Sequence, residues 1–282
     1  MLDKHDLIAV ICYTPDKLIL HSLVDGSLVR EIAGVLTGER LQFGYGGVCA
    51  APDGDSVLAV DSRKPGVQQV WVVDDGDLRA RVIGRDVIEE PEYIDCNADC
   101  IVVFEPSKDN RVTVLSTEGV RLKQFSIGRF GGQCLLSPRG IRLVAKGREV
   151  ITADNNNHRL VLWSLDGEFV TTVGSEGKGL FYPRDMLECT SDDSFIVCNF
   201  QGELVKVNRD GDKLDTYGEF GSSTSLAALP NGGVIVLSYY GTYRITILKS
   251  LALRFGWLQA CATLATKPGV APLSLSSEKR RK

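Results

Sequence analysis

The chain has 282 residues, 44% of them hydrophobic and 24% charged, and carries a net charge of -4. That balance excludes a disordered polyelectrolyte, and the weak acidity gives no global attraction to nucleic acid or anionic lipid. No apolar run approaches the roughly 18 residues of a membrane-spanning helix, and no basic segment with an apolar core opens the chain, so a cytoplasmic protein without a membrane partner is expected.

Taken in order, the chain writes one pattern repeatedly. Short runs rich in Val, Ile, Leu and aromatic residues alternate with turn residues, and no stretch keeps a helical period over three turns. Residues 7–13 and 17–26 form a first copy that lacks an opening strand. Further copies start near Gly46, Pro91, Gly132, Pro183 and Ser225, and the last ends near Gly256. Turn dipeptides mark the period: Asp25-Gly26, Asp75-Gly76, Glu118-Gly119, Asp166-Gly167 and Asp210-Gly211 lie 50, 43, 48 and 44 residues apart. Several strands within a period of roughly 40–50 residues define a propeller blade. The expected fold is therefore all-β, a six-bladed β-propeller of four-stranded antiparallel blades in a single domain over residues 1–275. A sheet left with an open edge is a liability. The strand missing from the first copy should accordingly come from the C-terminal side, at about residues 268–273, and pair with the N-terminal blade. Residues 276–282 are polar and basic and read as a disordered tail.

Eight cysteines in a chain of this size do not suggest a disulfide framework. Cys12, Cys49, Cys96, Cys134, Cys189 and Cys198 fall in or beside expected strands, where free Cys behaves as a small hydrophobe. Cys189 and Cys198 fall on neighbouring strands of one blade, where they can face each other.

The fourth copy is the clearest. It reads Pro138-Arg139-Gly140-Ile141, then Val150-Ile151-Thr152-Ala153-Asp154, Asn157-His158-Arg159-Leu160, and a Gly-rich link leading to Phe181 and Pro183. This resembles the NHL-repeat family of six-bladed propellers, including the recognition domains of tripartite-motif ubiquitin ligases. The resemblance implies a non-catalytic module that binds a protein partner as a scaffold or substrate reader. No RING, B-box or coiled-coil segment occurs here, so a ligase role would need another polypeptide.

Asp154 with His158 has the make-up of a base or metal site, since a carboxylate can orient an imidazole. Recurrence points instead to framework: Asp61 takes the Asp154 position and Arg111 and Arg244 take that of Arg159, whereas the His is not repeated. Repeated units carry their own contacts in this way. Three histidines, His5, His21 and His158, cannot converge on an axis, and the carboxylates Asp95, Asp185 and Glu188 on or beside first strands have no metal-specific spacing. No catalytic residue, metal or cofactor is assigned. The binding rim is expected in the loops between blades and between second and third strands: Arg40, Tyr45, Arg63, Lys64, Arg85, Arg129, Phe130, Lys178, Tyr182, Arg184, Phe200, Tyr239 and Tyr240. Acidic residues including Glu89, Glu90 and Glu105 share that rim. Exposed Arg and Tyr suit a protein interface. Stacking and phosphate contacts would equally serve single-stranded RNA, and a metal-dependent lactonase-like or lyase-like enzyme is a third reading. A monomeric propeller is expected.

Overall fold

The computed structural model describes residues 7–12, 17–23, 27–36, 38–43, 46–72, 78–175, 178–229, 233–239 and 243–248. Six antiparallel sheets follow one another along the chain. They comprise Leu7–Cys12, Lys17–Ser22 and Leu28–Ile32; Val48–Ala50, Ser56–Asp61, Lys64–Val72 and Leu78–Ile83; Tyr93–Cys96, Ile101–Glu105, Arg111–Leu115 and Arg121–Ser126; Pro138–Val144, Glu149–Asp154, Arg159–Ser164 and Phe169–Val173; Pro183–Cys189, Ser194–Asn199, Glu203–Asn208 and Lys213–Glu219; and Ser222–Ala228, Val234–Tyr239 and Tyr243–Leu248. Within each sheet the strands lie in chain order, the topology of a six-bladed β-propeller. Among the described residues the first and sixth sheets have three strands rather than four. The expected closing strand at 268–273 and the tail at 276–282 lie outside those residues. The chain divides into two compact units at Phe125 and Ser126. No helix among the described residues is long and apolar enough to cross a membrane.

The core lies between successive sheets. In Ser56–Asp61 every residue is buried. Val57 and Ala59 pack toward the first sheet with Leu18, Leu20 and Phe43, while Leu58 and Val60 pack toward the third with Ile101 and Val103. Ser194–Asn199 repeats the device in the second unit, with Phe195 and Val197 on one face and Ile196 and Cys198 on the other. Burial on both faces explains why these strands read as continuous apolar runs rather than alternating ones. It also makes the second and fifth sheets each a wall of two cores.

Three of the turn dipeptides do what the sequence suggested; Asp25-Gly26 and Asp75-Gly76 lie outside the described residues. Gly119, Gly167 and Gly211 sit at φ 86, 85 and 84°, and their N–H groups donate to the carbonyls of Ser116, Ser164 and Asn208 at 2.9, 3.0 and 3.0 Å. A type I turn closed by a left-handed glycine fits the strand twist. The glycine is needed twice over at Gly211, because a Cβ there would lie 2.2 Å from the Gly174 nitrogen of the preceding sheet.

Three features differ from expectation. Short hairpins precede the second and fourth sheets, Gly34–Leu36 with Glu39–Leu41 and Arg129–Phe130 with Gln133–Cys134. Cys134 therefore lies exposed on a hairpin rather than in a core strand. Cys189 and Cys198 do not face each other, since they pair across the ladder with Ser194 and Asp185.

Candidate interaction surface

In the third, fourth and fifth sheets the end of the second strand carries a buried acceptor that ties down the segment leading into its own sheet. In the fourth sheet Asp154 accepts from Leu136 N at 2.7 Å, from Asn157 Nδ2 at 2.8 Å and from Arg159 Nε at 2.8 Å. In the third, Glu105 accepts from the amides of Glu89 and Glu90 at 2.8 and 2.9 Å and holds Arg111 through two bonds of 2.9 Å. In the fifth, Asn199 accepts from Phe181 N at 3.0 Å. Asp61 is clasped by Arg63 at 2.9 and 2.6 Å. Within their own sheets, Asp154 thus pairs with Arg159, Glu105 with Arg111 and Asp61 with Arg63. Glu105, placed on the rim from sequence, is fully buried as the counterpart of Asp154. Glu105 faces Arg111 across the ladder as Asp154 faces Arg159, and the extra residue in the intervening turn hid the equivalence. The Arg244 side chain lies outside the described residues; its backbone faces Ser238.

His158 is a spacer between sheets. It adopts a left-handed backbone, φ 56°, after the 3-10 turn Asn155–Asn157. Its Nδ1 accepts the Tyr182 N–H at 3.1 Å, and its ring stacks on Phe181 with centroids 5.2 Å apart. A ring whose Nδ1 already accepts a backbone bond is committed to holding the loop. From here an aromatic series runs outward: Tyr182 meets Phe200 at 6.5 Å, and the Arg184 guanidinium lies 4.4 Å over the Phe200 ring. The Phe200 N–H donates to the Tyr182 carbonyl at 3.1 Å, so the exposed ring sits on a fixed backbone. Beside the Asp154 latch, Gln133, Cys134, Leu136, Asn157 and Arg159 line a groove of about 400 Å³. Phe130 roofs the Arg159 guanidinium at 4.9 Å and stacks on Phe169 at 4.6 Å.

The other rim candidates are used differently. Arg40 accepts the Lys64 ammonium at its carbonyl, and Lys178 faces Asp212 at 3.7 Å. Arg85 and Arg129 are exposed. Tyr45, Tyr240 and the side chain of Tyr239 lie outside the described residues. Around the third sheet the charges pair off: Lys108 reaches Glu89 and Glu90 at 3.2 and 2.9 Å, and Arg111 reaches Glu89 at 3.0 Å. Bonds from Arg111 and Lys108 hold the Glu89 carboxyl below its usual range, and Lys108 does the same for Glu90.

Two of the first-strand acids are also spoken for. Asp185 accepts from Arg142 Nε and Nη2 at 3.0 and 2.6 Å, from Ser225 Oγ at 2.8 Å and from Leu226 N at 2.9 Å, joining the fourth, fifth and sixth sheets. Glu188 accepts the Ala145 N–H at 3.0 Å, and burial pushes its carboxyl up. Both carboxylates are taken up by ties between sheets, and no group of three or more His, Cys, Asp or Glu is gathered among the described residues.

A propeller whose fourth sheet carries an Asp-latched Asn-His-Arg turn defines a class, and comparison agrees with it. The family model for the NHL repeat matches residues 135–161, which span the opening strands of the fourth sheet and the turn after them, within a six-bladed propeller. No curated protein matches it by sequence. Its fold is similar to that of a functionally unknown protein from Desulfotomaculum acetoxidans DSM 771, at 11% identity and TM-score 0.59 over 90% of this chain and 79% of that one. It is similar also to a streptogramin B lyase, at 10% identity and TM-score 0.56 over 87% and 83%. A chain of a nidogen/laminin complex matches at 14% identity and TM-score 0.61 over 86% and 89%. At these identities the likeness is one of fold.

Proposed function

We propose that this chain is a non-catalytic recognition propeller that binds a protein partner through the surface around Phe200, Arg184 and the Arg159 groove. The observation that carries the reading is the Phe200–Arg184 pair: an aromatic ring 44% exposed, covered by a guanidinium and held on a bonded backbone. Arg and aromatic anchors pre-set in this way are what protein interfaces use as hot spots, since little ordering remains for binding to offset. Leu136, 48% exposed at the groove, adds apolar surface. In this reading the module is a cytoplasmic scaffold or the substrate reader of a larger assembly such as a ubiquitin ligase.

The fold itself is neutral on the question, because it occurs in a lyase and in a protein complex alike. Against an enzyme stands the use of Asp185 and Glu188 as inter-sheet ties. Against RNA stands the pairing of Arg63, Lys108, Arg111 and Arg159 with carboxylates, which leaves fewer cations for phosphate. The test is affinity capture with the whole chain, mass spectrometry of what is retained, and measurement of Kd with the purified partner. Phe200→Ala and Arg184→Ala should each weaken binding about tenfold or more, a loss of about 1.4 kcal/mol, whereas Leu122→Ser on the third sheet should leave it unchanged. A retained protein insensitive to both alanine variants would refute the surface. Retention of RNA with steeply salt-dependent affinity would replace the reading.

A further inference from the structure

The first strands of the second and third sheets carry an unassigned pair of thiols. Cys49 Sγ lies 3.5 Å from Cys96 Sγ and donates to it, while Cys96 Sγ donates to the Ala50 carbonyl at 3.0 Å. Both residues are buried, 1% and 2% exposed. The strands that bear them run unusually close: a Cβ on Gly47 would lie 3.2 Å from the Ile94 nitrogen and 3.4 Å from the Tyr93 Cα, and the cysteines follow two residues further along each strand. Bridging two cysteines requires such a separation, because a disulfide spans Cα atoms only about 4.4–6.8 Å apart.

We propose that Cys49 and Cys96 form an oxidative modification site, closed by a peroxide to a disulfide that fastens the second sheet to the third. One thiol gives up its proton and its sulfur attacks hydrogen peroxide, breaking the O–O bond to yield a sulfenic acid and one water. The neighbouring sulfur then attacks the sulfenic sulfur, the S–O bond breaks, its proton joins the departing hydroxide, and a second water leaves. The cysteine pair loses two electrons and two protons and the peroxide gains them. Hydrogen peroxide is little larger than water, so local opening of the sheet edges admits it where a bulky disulfide reagent would be excluded. A neighbouring thiol in contact is what diverts a sulfenic acid to a disulfide rather than to further oxidation.

The experiment uses the full chain with Cys134→Ser, which removes the exposed thiol on the Arg129–Cys134 hairpin. It is treated with a slight excess of hydrogen peroxide, quenched, alkylated under denaturing conditions and digested with trypsin without reduction. A cross-linked pair of peptides, residues 41–63 with residues 86–108, should appear at the summed mass less two hydrogens. Because the second peptide contains both Cys96 and Cys100, the link should persist in Cys100→Ser and vanish in Cys96→Ser. The Tm should rise on the order of 5 °C on oxidation and return on adding dithiothreitol. Full alkylation of Cys49 and Cys96 after treatment, a link through Cys100, or sulfinic acid at either position would overturn the proposal.

Discussion

Replacing Asp185 with Asn tests whether the first strands hold the second unit together through charge. The side chains of Asp185 and Arg142 are each 7% exposed. Two donors converge on Oδ1, Arg142 Nε at 3.0 Å and Met186 N at 2.9 Å, and three on Oδ2, Arg142 Nη2, Ser225 Oγ and Leu226 N at 2.6, 2.8 and 2.9 Å. An amide keeps the shape but turns an NH2 toward one set of donors and leaves the guanidinium buried without its counter-charge. Breaking a buried pair on one side costs about 3–5 kcal/mol. Arg142→Met strands the carboxylate and should cost about as much, whereas the double variant removes both charges and should fall at least ~2 kcal/mol short of the sum. Urea unfolding followed by far-UV circular dichroism measures all four proteins. Additivity within about 0.5 kcal/mol, or single losses near zero, would refute the reasoning.

Gly211→Ala should destabilise more than Gly34→Ala, although both glycines have nearly the same positive φ of 84 and 82°. Alanine at Gly34 meets nothing within 4 Å and carries only the left-handed strain of about 1–2 kcal/mol, while at Gly211 it meets the Gly174 backbone; equal melting temperatures would contradict this. Glu188 has its folded pKa raised by burial, so the folded state keeps a proton that the unfolded chain releases above the ordinary value of 4.5. Stability is therefore lost as pH climbs from there through the raised value. Glu188→Gln removes that slope, and its Tm relative to the parent should be higher at neutral pH than below 4.5; a pH-independent difference would count against it.

The sheets were legible because strand-forming runs and Gly-bearing turns are local signals, and six of them in register add up. The hairpins Gly34–Leu41 and Arg129–Cys134 were not, because strands of two or three residues carry no period. Asp154 and Arg159 were recognised as framework because they recur at fixed offsets, while Glu105 escaped through its one-residue shift. The contacts between sheets were missed altogether. Arg142 and Asp185, Ala145 and Glu188, and Cys49 and Cys96 are separated by 43, 43 and 47 residues. Each separation is close to one repeat, because the first strands of successive copies lie side by side. The signal was present in the numbering, but strand periodicity describes only what happens inside a sheet. The Phe200–Arg184 pair lay among the expected rim residues, and sequence could not tell it from Lys178, which turns to Asp212.

The same one-repeat neighbourhood constrains how such a chain can have arisen. The offset that carries Pro138 to Pro183 and Asp154 to Asn199 carries Gly140 to Asp185, so a perfect tandem copy of the fourth sheet would leave Arg142 without its carboxylate, and the tie exists only because adjacent copies diverged. Transplanting one blade from a related sequence would import half of each seam pair, and the substitution that rescues it should be sought some forty-odd residues away.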